Sequence, residues 1–169
     1  VVSSEEGNPV CRYKENGTSV HINSIDPHGQ AEQWCNQIPL EDISALYVYG
    51  CGFGYPLFEI LKKKESNTIV MVFEQNIHLF IATLHYFDFE PLFRSQKFAF
   101  FIGDFEDFTQ EFQQQVSTVF FGCTAPSVVF APESRLFQRK YITILHHVFD
   151  WLGLQMNKMG NDHMDSLIG

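Results

Sequence analysis

A chain of 169 residues, 45% of them hydrophobic, is long enough for one domain with a full core and too apolar for disorder. Its formal charge of −9, from 11 basic and 20 acidic residues, argues against a nucleic-acid partner, which demands a clustered positive face. No apolar run reaches membrane-spanning length and no secretory leader is visible, so the expectation is a cytoplasmic protein without a membrane partner.

Cys11, Cys35, Cys51 and Cys123 form no C-x-x-C pair and have no His neighbours at zinc spacing, so reduced thiols and no metal site are expected. Chain order begins with a predicted hairpin. Val10-Cys11-Arg12-Tyr13 and Ser19-Val20-His21-Ile22 flank Glu15-Asn16-Gly17-Thr18, and Asn-Gly suits a type I′ turn. Asp26 and Pro27 then provide a cap and a first position for a helix running to about Ile38, where Pro39 stops it.

From Ile43 the pattern becomes alternating strands and helices. Ala45–Tyr49 is a short apolar run of the kind a buried parallel strand needs. Pro56–Lys64 is a predicted helix, and Lys62-Lys63-Lys64 complements the dipole at its end. Thr68–Phe73 is a second strand, and Asn76–His85 a helix with Ile77, Phe80, Ile81 and Leu84 at helical spacing. Phe98–Ile102 is a third strand. Phe105–Phe120 is a helix with Phe105, Phe108, Phe112 and Val116 on its inner side. Ser127–Phe130 is a fourth strand and Ser134–Leu152 a long last helix. This order predicts an α/β fold: a Rossmann-like, mostly parallel sheet of about four strands flanked by helices and preceded by a small N-terminal hairpin. The expected units are residues 1–40, a Rossmann-like domain over 41–157, and the start of a following domain at 158–169.

Chemistry points to Gly50-Cys51-Gly52-Phe53-Gly54-Tyr55, between the first strand and its helix. Glycines there permit a sharp turn and close approach of a ligand, and the helix start favours an anion. The spacing is GxGxG and not GxGxxG, which argues against hydride chemistry. Glu74, at the end of the second strand, is placed to reach ribose hydroxyls, and Asp104, after the third, to reach an adenine amino group. Gly50, Gly52, Gly54, Tyr55, Glu74 and Asp104 are therefore the candidate binding residues, and together they resemble the S-adenosylmethionine site of Rossmann-like methyltransferases; that cofactor or a nucleotide is the candidate ligand. The bland reading stands beside it: the glycines close a tight turn, and the two acids cap helices. A loop plugged by Phe53 or Tyr55 marks a scaffold, and an open crevice marks a binding site. After the fourth strand, Glu133 is the one polar candidate. Cys51 sits near a helix start, where its pKa could fall, though a passive place in the loop is the simpler expectation. His146-His147 diverge on a helix and suit no metal. No catalytic group is identified.

Four stretches together resemble one family. Ser24-Ile25-Asp26-Pro27 with Ala31-Glu32, the Tyr49–Tyr55 loop with Leu57–Leu61 behind it, Val72-Phe73-Glu74-Gln75-Asn76, and Gly160–Gly169 are similar to ordered motifs of the Maf (motility-associated factor) flagellin glycosyltransferases. Gln75 stands where Pro is common in that family. The resemblance spans roughly residues 15–169. It implies an N-terminal domain of a bacterial enzyme that attaches nonulosonic acids, such as pseudaminic or legionaminic acid, from a CMP-activated donor to Ser or Thr of flagellin. It further implies that a sialyltransferase-like central domain, beginning near Gly160, holds the catalytic site. Under it, flagellin or another protein substrate is the expected partner of the parent enzyme, and this piece is accessory.

Overall fold

The computed structural model describes residues 2–3, 7–15, 18–64, 67–120 and 126–168, with side chains except at 3, 15, 18, 117–120 and 156–168. Eight strands and six α-helices occur among them: β1 Val2–Ser3, β2 Pro9–Val10, β3 Arg12–Glu15, β4 Thr18–His21, α1 Pro27–Cys35, β5 Ala45–Tyr49, α2 Tyr55–Lys63, β6 Ile69–Glu74, α3 Ile77–Tyr86, α4 Glu90–Arg94, β7 Phe98–Ile102, α5 Phe105–Phe120, β8 Pro126–Phe130 and α6 Gln138–Ile168.

The central sheet has the order β7-β6-β5-β8, and every pairing in it is parallel. All five residues of β5 are buried, as a strand covered by helices on both faces must be. Side chains alternate between faces, so each strand feeds two cores. Leu46, Val48, Val70 and Val72 join Ala31, Cys35, Leu57, Ile60 and Leu92 beneath the α1–α4 side. Ala45, Tyr47, Tyr49, Met71 and Phe73 join Phe108, Phe112, Val116, Ile144 and Val148 on the opposite face. The expected inner stripe of α5 is thus in place, with Phe105 half-buried at its start.

Register adds an aromatic row across the strand ends. Phe130, Tyr49, Phe73 and Phe101 are consecutive cross-strand partners. Their centroids stand 5.3, 4.9 and 5.2 Å apart with interplanar angles of 29°, 15° and 20°. Each such contact stabilises by about 0.5–1.5 kcal/mol beyond burial.

The residues ahead of β5 pack onto the same body. Tyr55 Oη donates to Pro9 O at 3.0 Å, Trp34 Nε1 donates to Phe130 O at 2.9 Å, and Ile22, Ile38 and Leu40 join the α1–α4 core. Asp26 caps α1 by accepting from Gly29 N at 2.8 Å, with Pro27 in its first turn.

Several expected boundaries need correction. The hairpin pairs Arg12–Glu15 with Thr18–His21, because Cys11 N turns inward to Asn23 Oδ1 and Val10 pairs instead with Val2. Asn16 and Gly17, the expected turn, lie outside the described residues. α1 ends at Cys35, three residues before Ile38, since Asn36 and Gln37 form a turn. α4 was not anticipated: Pro91 in its first turn follows an Asp88 carboxylate that accepts from Glu90 N. The last helix begins as a 3₁₀ run over Pro132–Phe137 and continues through Ile168.

Candidate functional site

The glycine loop is built by two hydrogen bonds to β6 and one within itself. Gly50, at φ 97°, donates its N–H to Phe73 O at 2.8 Å. Cys51 N–H donates to Glu74 Oε2 at 2.8 Å, and Gly54 N–H closes a 3₁₀ turn on Cys51 O. Inside that turn Phe53 holds φ 52°, ψ 31°, a left-handed conformation that non-glycine residues rarely adopt. It is retained because the ring is fully buried against Tyr86 and Phe87.

Doubly wound sheets bind ligands where strand order reverses, here between β5 and β8. In this chain its own side chains fill that position. A Cβ on Gly50 would meet Ser134 Cβ at 3.3 Å and Ala131 Cβ at 3.4 Å, and one on Gly52 would meet Glu133 Oε2 at 2.5 Å. The glycines admit Glu133 and Ser134, from the segment after β8, against the loop backbone.

Glu74 lies inside, with no exposed surface. Its Oε2 accepts from Cys51 N, and its Oε1 accepts from Asn76 N and from Tyr141 Oη, both at 2.7 Å. One carboxylate thereby ties the glycine loop, the start of α3 and the inner face of α6 together. Glu133 is also buried, and its Oε2 has no hydrogen-bond partner. Burial pushes its carboxyl up to about 8; hydrogen bonding to its own backbone lowers it in part, and the nearby Glu74 carboxylate and Arg135 act less strongly, in opposite directions. The same burial and the Glu74 hydrogen bond push the Tyr141 hydroxyl far up. Tyr49 Oη is a second buried, unpartnered polar atom, and burial raises its pKa as well.

The candidate residues therefore separate into three places. Gly50, Gly52 and Glu74 converge with Glu133 and Tyr141. Gly54 and Tyr55 face the other way: a Cβ on Gly54 would meet Thr83 and Phe87, and the Tyr55 ring packs edge-on to His28 and Phe87. Asp104 is exposed, accepts from Gln75 Nε2 at 3.1 Å and has its own N–H held by Asp107 Oδ2. Cys51 takes the passive place in the loop, and its pKa is raised where a helix start alone could lower it. Complete burial, with Glu74 beside it, holds that thiol well above its ordinary value.

Tyr141 is the residue that sequence reasoning missed. Its signal was its place in an apolar stripe with Ile144, Val148 and Leu152, since a buried tyrosine hydroxyl must find a partner. His147 packs against Phe105 at 5.3 Å, and the described residues hold no group of three or more potential metal ligands.

Open space lies beside this centre. A cavity of about 450 Å³ is bounded by the β3–β4 hairpin, the start of α3 and the start of α6. A smaller one of about 300 Å³ lies over Asp104 and shares Gln75 and Lys140 with it.

Fold and site together define a Rossmann-like domain whose switch-point crevice is occupied by its own side chains. The chain belongs to the Glycosyltransferase Maf N-terminal domain family, whose model matches residues 13–142. It is thus a glycosyltransferase-associated domain. No curated protein and no solved structure matches it. No helix among the described residues is long and apolar enough to cross a membrane.

Proposed function

We propose that this chain is the accessory N-terminal domain of a bacterial, cytoplasmic glycosyltransferase that moves a nonulosonic acid from a CMP-activated donor to Ser or Thr of flagellin, in support of motility. The family match over residues 13–142 carries the reading. The closed crevice supports the accessory role. With Glu133 and Ser134 against the glycine loop and Glu74 wholly buried, the residues that would hold a dinucleotide or S-adenosylmethionine are engaged with one another. The domain acts through its surface and its rigidity, by contact with the catalytic part of the enzyme or with the acceptor protein.

Two assays test this. Deleting the parent gene should leave flagellin without its nonulosonic acid, read as a loss of mass, and flagellin of unchanged mass would sink the glycosylation reading. The isolated chain should transfer neither sugar from the CMP-activated donor nor methyl from S-adenosylmethionine, and S-adenosylmethionine should leave its melting temperature unmoved. Turnover by the chain alone, or a melting shift lost in Glu74→Gln, would make the domain a catalytic or cofactor-binding unit.

A further inference from the structure

We propose that the cleft between the β3–β4 hairpin and the start of α6 is a binding site for a small organic anion, with its charged group, a phosphate or carboxylate, on the cleft's cations and its apolar body in the cavity beside them. This does not depend on the glycosyltransferase reading. Two adjoining cavities form the cleft, of about 450 and 440 Å³, within the range of small-molecule sites. They share Tyr13, Phe137 and Lys140, and the Tyr13 and Phe137 rings meet edge-on at 5.1 Å on the shared wall.

The charge pattern carries the inference. The protein has 20 acidic and 11 basic residues, yet neither cavity is lined by a single Asp or Glu. Four of the 11 cations, Arg12, Arg135, Arg139 and Lys140, line them instead. Among the described residues none of the four is in an ion pair, whereas Lys62, Lys63 and Arg94 all are. Three of the four also lie early in the helical run that starts at Pro132, the end at which a helix dipole disfavours positive charge. Mutual repulsion and the dipole both oppose this clustering, and a bound anion relieves both. The larger cavity adds Ile22, Leu79 and Ala82, so it suits a ligand with an apolar body and not a bare ion.

The test is an NMR titration of this chain with three probes: phenyl phosphate, inorganic phosphate and benzyl alcohol. Phenyl phosphate should move the amide signals of Tyr13, Asn76 and Lys140 to saturation, at least tenfold more tightly than inorganic phosphate, and benzyl alcohol should leave them in place. The double variant Arg139→Gln, Lys140→Gln, both exposed positions, should weaken phenyl phosphate at least tenfold. Arg94→Gln, on α4, should not. Absence of saturation at 20 mM, signals that move elsewhere, equal binding by inorganic phosphate, or unchanged affinity in the double variant would each overturn the proposal.

Discussion

Glu133→Gln should flatten the dependence of stability on pH. In the folded chain the Glu133 carboxyl is buried, one oxygen lacks a partner, and its pKa stands at about 8 against 4.5 for an ordinary glutamate. The folded state therefore holds this proton more tightly than the unfolded state does. Its stabilising contribution is complete below about pH 4.5, falls as pH rises, and is gone above about pH 8. At about 1.4 kcal/mol per tenfold difference in proton affinity, the loss between pH 5 and pH 9 is about 4 kcal/mol. That is a large share of a typical total of roughly 5–15 kcal/mol. Glutamine keeps the shape and cannot ionise. Urea unfolding of both proteins at pH 5, 7 and 9 isolates the effect, because every other titrating group is common to both. The variant should gain about 4 kcal/mol on the parent across that interval, on the order of 2 M in midpoint. Parallel pH profiles would show that Glu133 is not held neutral in the fold and would refute the reasoning.

Glu74→Ala strands the Cys51 N–H and the Tyr141 hydroxyl in the interior and releases the half-buried Asn76 N–H. It should cost about 3 kcal/mol or more by denaturant unfolding, against about 1 kcal/mol if the residue were only a helix cap. Gly52→Ala forces a side chain into φ 55° and onto the Glu133 carboxylate, and should cost about 2 kcal/mol. Adding Glu133→Ala should shrink that penalty relative to the single Glu133→Ala change, and calorimetry on the three variants checks the coupling. Cys11, Cys35 and Cys51 are buried and their pKa values are raised, so mass spectrometry after treatment with a thiol reagent at pH 7 should find all three unmodified until the chain is denatured.

The sheet was legible because its determinants are local. β5 shows as an uninterrupted apolar run, and α5 as phenylalanines at helical spacing. Strand order was not written in any single segment. It follows from which faces each element buries: Tyr49 stacks on both Phe73 and Phe130, which places β5 between β6 and β8. The hairpin's first strand starts at Arg12 and not at Val10 because Cys11 continues the β pattern in sequence, while its N–H is claimed by Asn23, 12 positions away.

The glycine loop shows why the site was harder. Glycines between a strand and a helix report only that something must come close to the backbone. A bound phosphate and a packed side chain impose the same demand. Glu74 is equally ambiguous, because a carboxylate at a strand end can accept from a ribose hydroxyl or from the loop's own N–H. The partners that the fold supplies come from far along the chain: Tyr141, 67 residues from Glu74, donates its hydroxyl, and Glu133 lies against Gly52. Ala131-Pro132-Glu133-Ser134 offers in sequence only Glu133 as a polar candidate. Folded, it packs Glu133 and Ser134 against the glycine loop, and the open, positively charged space lies one element over, bordered by Arg12 and Lys140.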